Sequence, residues 1–213
     1  MSGGRQIRTK ERPKILLATR NEGKVREIRK VLNGLGFQIV SLNDLPDPPP
    51  VEEDGKSFSE NALKKARLYS DLYGQLTISD DSGLEVDALG GAPGIYSARY
   101  AGEGSSDRQN TEKLLRALEG VRASKRGARF KCAIAIVSPG GRETILEGSC
   151  RGRIGFREVG NKGFGYDPVF IVTRYGKTMA QLSLDEKNRI SHRGKALRRL
   201  RNALRAHVNQ DRR

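Results

Sequence analysis

Cysteine is almost missing: Cys132 and Cys150 are the only two in 213 residues. That excludes a disulfide framework and leaves too few thiolates for a structural zinc site. Both lie in apolar, strand-like segments, where packing is the default use of a thiol. Long apolar runs are missing too. No stretch approaches the roughly 18–20 residues that span a bilayer, and Met1 to Arg12 is charged rather than apolar, so the expectation is a cytoplasmic protein with no membrane partner. Aromatics make up 6% of the chain and tryptophan is absent. There is no interleaving of aromatic and basic residues of the kind that stacks on nucleic acid. Internal repeats and low-complexity tracts are not found.

Acidic residues are the minority, 25 against 40 Lys and Arg, for a formal charge of +15. Such a balance attracts polyanions, whether nucleic acid or triphosphates. Much of it lies at Arg5, Arg8, Lys10, Arg12 and Lys14 and in the run from Arg193 to Arg213, where frayed ends and solvated helix faces are the usual meaning, so dedicated nucleic-acid binding is not expected. With 36% hydrophobic residues, the chain can bury a core. The length suits one ordinary domain or two closely packed lobes over 13–208, with a basic, disordered tail at 1–12 and a short tail at 209–213.

The periodicity alternates between strand and helix. Lys14 to Thr19 has strand length, and Val25, Ile28, Leu32 and Leu35 keep helical spacing until Gly36 stops it. An extended Gln38 to Ser41 leads into a proline-rich, acidic loop from Leu42 to Gly55. Ser57 and Glu60 have capping-box spacing, which predicts a second helix with Phe58, Ala62, Ala66, Tyr69 and Tyr73 on one stripe and Asn61 and Lys65 beside it. Leu76 to Ser79 reads as a short strand, and the glycine-rich Asp80 to Gly104 as an ordered loop containing another. Ser106 or Asp107 caps a third helix through Leu118. Arg129 to Ser138 and Arg142 to Cys150 read as a hairpin around Pro-Gly-Gly, which makes the sheet mixed. Val169 to Val172 and a last helix bearing Leu197, Leu200, Leu204 and Val208 complete an α/β pattern.

Four places carry candidate chemistry. Thr19-Arg20-Asn21-Glu22-Gly23-Lys24 joins a strand to a helix N-terminus, where amides, a glycine and a lysine can cradle phosphate, although the pattern is not a P-loop. Glu52, Glu53 and Asp54 share one loop, and Asp80, Asp81, Glu85 and Asp87 sit at or after a predicted strand end. Carboxylates there suit Mg²⁺ together with phosphate oxygens, and equally suit helix caps. Gly160 to Asp167 (GNKGFGYD) holds Phe164 and Tyr166 between glycines, as a base-stacking platform or a loop anchor. Lys187 and Ser191-His192-Arg193 add donors that can select a carbonyl.

These residues carry a resemblance. Ile78 to Gly102 (ISDDSGLEVDALGGAPGIYSARYAG) resembles the signature of the inosine triphosphate pyrophosphatase family. The likeness extends over TRNEGK, EEDG with ENALKKA, FGYDPVF and EKNRISHRGKAL, from about Lys14 to Ala206. The resemblance implies an elongated, mixed α/β fold with helices flanking the sheet, two lobes around a central substrate cleft, and a homodimer. It implies Mg²⁺-dependent hydrolysis of ITP, dITP and XTP to the monophosphate and pyrophosphate.

By the same resemblance Asp81 is the catalytic carboxylate and a metal ligand, and Glu52, with Glu53 and Asp54 beside it, the second metal-holding acid. Ser82 and Lys65 contact phosphate, as do Thr19, Arg20, Asn21, Glu22, Gly23 and Lys24. Phe164, Gly165, Tyr166, Asp167, Lys187, His192 and Arg193 form the base pocket. Arg20 departs from the family, which more often has a small residue there. The implied chemistry is in-line attack of water on the α-phosphorus, with Asp81 or a neighbouring carboxylate taking the proton and Lys24 and Lys65 stabilising pyrophosphate. Arg193, Lys187 or nearby backbone would be satisfied by a keto base and not by adenine. The alternatives are a pyrophosphatase for modified pyrimidine nucleotides and a basic nucleic-acid-binding protein.

Overall fold

Ile15, Leu16 and Leu17 are all buried, so β1 (Lys14–Leu17) is covered on both faces and belongs in the interior of a sheet. The computed structural model describes residues 12–210, with side chains as far as Arg205. Residues 1–11 and 211–213 and the Val208 side chain, on which the tail and last-helix expectations partly fall, lie outside the described residues. Seven strands form one sheet in the order β2-β1-β3-β4-β5-β6-β7: β2 (Gln38–Ser41), β3 (Leu76–Val86), β4 (Gly127–Val137), β5 (Glu143–Ile154), β6 (Phe170–Val172) and β7 (Lys177–Thr178) join β1. The β2-β1-β3 part is parallel, and every later pairing is antiparallel.

Helices cover both faces. On one, α1 (Glu22–Leu32) and α5 (His192–Gln210) bring Val25, Ile28, Leu197 and Leu200 onto Ile15, Leu17, Ile78, Cys132 and Ile134. On the other, α2 (Phe58–Tyr73) lays Ala62 and Ala66 on Ala133, Ala135 and Val137, and Tyr69 beside Leu16. The small side chains let the helix approach the strands closely. A further core, built on Phe130, Phe170, Ile154 and Leu84, takes in α3 (Asp107–Ala117) through Leu114. Each buried Leu or Ile contributes about 1.5–3 kcal/mol. The cores are therefore what hold the cleft walls in place.

The helix starts follow the caps expected of them. Ser57 accepts from the Glu60 amide at 3.1 Å, and Ser106 caps α3 with Gln109 in return. Two differences from the sequence reading bear on the site. Leu76 to Ser79 is only the first part of an 11-residue strand; Asp80 and Asp81 lie inside β3 rather than after its end. The strand continues because β4 pairs with it from Thr77 to Val86, whereas β1 stops beside Ile78. The two aspartates thus stand where the parallel part of the sheet ends. The second difference is a short helix, α4 (Leu184–Ile190), capped by Ser183 and Glu186. Lys187 lies on it, and His192 and Arg193 open α5. Cys132 and Cys150 are free thiols and belong to different cores. Among the described residues no helix is long and apolar enough to cross a membrane.

Candidate active site

Side chains alternate across a strand, so Asp80 and Asp81 face opposite sides of β3. Asp80 is fully enclosed on the α1 and α5 side. Its carboxylate meets Lys24 Nζ at 2.7 Å and Arg193 Nε at 2.8 Å, and it accepts from Ser82 Oγ at 2.6 Å. Burial alone would raise its pKa; Arg193 and Lys24 reverse that and hold it well below the ordinary carboxylate range. Arg193 continues to Glu27 at 2.9 Å, and Lys187 bridges Glu27 at 2.8 Å and Asp167 at 2.7 Å. Lys24, Asp80, Arg193, Glu27, Lys187 and Asp167 form one buried ionic chain under the cleft.

Asp81 is placed quite differently. On the α2 side it has one nearby cation, Lys65, at 3.5 Å, and its Oδ2 is buried with no hydrogen-bond partner. Burial raises its pKa, and Lys65 and Lys24 oppose this without cancelling it. Lys65 holds Glu53 more tightly, at 2.7 Å, and donates to the Asp80 carbonyl at 3.2 Å. Burial would raise the Glu53 pKa as well, but Lys65, with Lys24 and Arg99, lowers it. Arg99 also donates to the Glu53 carbonyl at 2.9 Å, which fixes the acidic loop against the 3-10 turn Gly94–Arg99.

These groups line a cavity of about 420 Å³. Its floor carries Asp81, Glu53, Lys24 and Lys65, and its far end Phe164, Tyr166, Phe130 and His192. Thr19 accepts from the Asn21 amide at 3.2 Å, and Asn21 caps α1 by accepting from the Lys24 amide at 3.0 Å. The amides of Glu22 and Gly23, in the first turn, have no intrahelical acceptor. The Arg20 guanidinium donates to the Pro48 carbonyl at 2.7 Å, tying the turn to the proline-rich loop. Gly23 is required: a Cβ there would run into the Phe164 ring.

Phe164 lies over Lys187 and Arg193, 4.6 and 5.3 Å from their cationic groups. Its loop is pinned by the Phe164 amide to Asp167 at 3.0 Å, by the Gly165 amide to Asp107 at 2.6 Å and by the Tyr166 hydroxyl to the Ser97 carbonyl at 2.9 Å. His192 stacks on Phe130, with ring centroids 4.6 Å apart, and its Nδ1 is buried without a partner. Burial, reinforced by Arg193, pushes its pKa well below the ordinary value, so the ring is neutral at pH 7.

The structure therefore gathers Thr19, Arg20, Asn21, Lys24, Lys65, Asp81, Ser82, Phe164, Gly165, Tyr166, Asp167, Lys187, His192 and Arg193 around one cavity. Gly23 sits behind Phe164, and Glu22 pairs outward with Asn43. Glu52 is the exception: it is exposed and faces an adjoining surface depression, while Glu53 turns into the cleft. In an extended loop, neighbours point to opposite sides, and Lys65 and Arg99 select the second of the two acids. Ser82 spends its hydroxyl on Asp80 and also accepts from Arg193 at 3.1 Å.

Glu27 was not among the sequence candidates. It reads as one more polar residue of an amphipathic helix, and nothing within a turn of it signals burial. Among the described residues no three His, Cys, Asp or Glu side chains converge as a metal cage. A magnesium ion does not need one. It is commonly held by one or two carboxylates with waters and substrate phosphates, and the unpartnered Asp81 oxygen beside Glu53 fits that demand.

Residues 15–203 match the model of the Ham1 family. A dITP/XTP pyrophosphatase of Desulforamulus reducens is 52% identical over 93% of this chain and 99% of its own length, and one of Geobacter sulfurreducens is 52% identical over 90% and 96%. Among solved structures, a HAM1 protein from Coxiella burnetii superposes with a TM-score of 0.81 at 39% identity, covering 90% of this chain and 98% of its own. A dITP/XTP pyrophosphatase from Mycobacterium abscessus gives 0.72 at 44% identity, covering 88% and 98%.

Proposed function

The chain belongs to the Ham1 family, and from that premise we propose that its cleft hydrolyses aberrant purine nucleoside triphosphates, ITP, dITP and XTP, to the monophosphate and pyrophosphate through Asp81. The observation that carries this reading is the Asp81 Oδ2, buried and unpartnered, beside two lysines that reach the same point of β3. A desolvated carboxylate with a free oxygen is what a water-activating base or a metal ligand requires.

The triphosphate lies along the Thr19 to Lys24 turn, with the Glu22 and Gly23 amides and the α1 dipole toward its charge. Lys24 and Lys65 each offer an ammonium donor to the departing pyrophosphate. Asp81 and Glu53 would hold Mg²⁺, which when bound orients the phosphates and offsets their charge. Asp81 or the neighbouring Glu53 accepts the proton of the attacking water. Phe164 and Tyr166 position the base, and the neutral His192, with an unsatisfied Nδ1, is the polar group left free to recognise it. Arg193 and Lys187 are occupied by Asp80, Glu27 and Asp167; they frame the pocket and hold Phe164 from below. A group left unpaired by the wrong base can enforce discrimination of roughly 10⁴-fold.

We also infer a homodimer, supported by the resemblance alone and open to analytical ultracentrifugation. A cytoplasmic setting accords with nucleotide-pool chemistry and with two free, buried thiols. The deciding experiment is pyrophosphate release from ITP, dITP, XTP, ATP and dUTP with Mg²⁺. The expected result is strong preference for the first three. Equal rates with ITP and ATP would remove the base-pocket assignment, and preference for a pyrimidine would move the enzyme to another substrate class.

A further inference from the structure

Away from the catalytic cleft, a second groove of about 880 Å³ runs over the α2 face of β4 and β5. Phe58 and the start of the 3-10 turn meet over Gly83, where a Cβ would strike Gly94, Ser97 and Phe58, and this crossing divides the two cavities. Five cations line the groove, Lys56, Arg129, Lys131, Lys195 and Arg199, against two carboxylates, Glu85 and Glu147. The carboxylates offset only part of it: Glu85 is paired with Lys131 at 2.9 Å, Glu147 accepts from Ser59 at 2.8 Å and keeps its charge, and the cations still outnumber the acids five to two. Lys195 and Arg199 donate only to carbonyls of β5, each at 2.6 Å, and so keep their full charge.

Arg129 is the telling residue. Its Nε is buried and has no acceptor, and it has no ion-pair partner among the described residues. On the ladder Arg129 stands between Arg151 on β5 and Glu85 on β3, and Glu85 is engaged by Lys131 instead, so the opposite charge beside it is already taken. A half-buried guanidinium whose enclosed Nε lacks an acceptor, beside another cation, is completed by an anion that reaches it. Its fork suits the oxygens of a phosphate, and cations arriving from the loop before α2, from β4 and from α5 call for a ligand with successive charges.

We propose that this groove is a second, non-catalytic site that binds a phosphate-bearing polyanion through Arg129, with Lys56 and Lys195 on its rims. The site does not depend on the reading of the catalytic cleft, and the two fail separately. Inorganic tripolyphosphate titrated calorimetrically into the intact protein should reveal two classes of site per chain. Arg129→Gln, and independently Lys56→Gln, should weaken one class about tenfold or more and leave ITP hydrolysis at the wild-type rate, while Arg129→Lys recovers part of the affinity. Fluorescent dT10 distinguishes the sources of the phosphate. If it binds, with a salt slope reduced by roughly 0.7 in Arg129→Gln, the ligand is a nucleic-acid backbone; if only tripolyphosphate binds, it is a free polyphosphate. Either supports the site. A single class of site that neither variant weakens, two classes unchanged in both variants, or an Arg129→Gln protein that loses self-association in sedimentation with anion binding intact would overturn the proposal, the last by giving the groove to a second copy of the chain; a single class that both variants weaken is the groove alone and leaves the cleft reading to fail.

Discussion

The two faces of β3 hold the same side chain in consecutive positions and make opposite use of it. On the α5 side Asp80 is saturated by Arg193, Lys24 and Ser82, and its pKa is driven down after burial has been overcome. On the α2 side Asp81 is desolvated, with Lys65 at 3.5 Å and a free oxygen, and burial outweighs Lys65 and Lys24 to drive its pKa up. Burial by itself therefore does not mark a reactive carboxylate. What marks it is burial that the protein's own cations have left incomplete, so that substrate, metal or water must finish the job.

That contrast can be broken most severely at Asp81. Asp81→Asn should lower kcat/KM for ITP by about 10³-fold or more, about 4 kcal/mol of transition-state stabilisation. Its melting temperature should be held or raised. The sign follows from the raised folded pKa: ionised Asp81 opposes folding as pH rises through that pKa, and the amide removes this cost. Pyrophosphate assays and thermal scans on one preparation check both halves. Asp80→Asn should do the reverse in kind, leaving Arg193 buried without its main partner and costing about 3–5 kcal/mol. At this chain length that is a fall in Tm on the order of 10 °C.

The pH dependence sharpens the same contrast. Because the Asp81 pKa is raised, the acid limb of kcat/KM should lie above the ordinary aspartate value of about 3.9. Asp80, with its lowered pKa, contributes stability that is complete above about pH 3.9 and is lost as pH falls toward its folded value. Activity should thus fail at a higher pH than the fold, and coincident losses in rate and circular dichroism would contradict the assignment. The smallest effect belongs to Tyr166→Phe, which removes the hydroxyl bond to Ser97. It should cost about 1 kcal/mol in urea unfolding and raise KM for ITP more than it lowers kcat.

Local chemistry made much of the fold legible. The start of α2 is written in Ser57 and Glu60, the β4-β5 hairpin in Pro-Gly-Gly, and the face of α1 in Val25, Ile28 and Leu32. The second half of β3 was not legible, because Asp80, Asp81, Ser82 and Gly83 lack a strand's apolar alternation and are kept extended by pairing with Lys131 to Ile134 of β4. Most residues that line the cavity were legible, and their wiring was not. Lys187 and Arg193 carry the residue types of a base pocket, yet Arg193 donates to Asp80 and Glu27, more than a hundred positions away, and Lys187 pairs with Glu27 as well as with Asp167. No local pattern encodes such contacts. That Glu53 rather than Glu52 lines the cleft is of the same kind, since Lys65 and Arg99 reach Glu53 only in the folded chain. The helix α4 was missed although Ser183 and Glu186 spell its cap.

The division of labour between the neighbouring aspartates is tested most directly by magnesium binding. Calorimetric titration of Mg²⁺ into protein saturated with a non-hydrolysable ITP analogue, well below the lowered Tm of Asp80→Asn, compares the two variants without turnover. Asp81→Asn should lose the ion and Asp80→Asn should keep it. An ion retained in Asp81→Asn and lost in Asp80→Asn would contradict that division of labour.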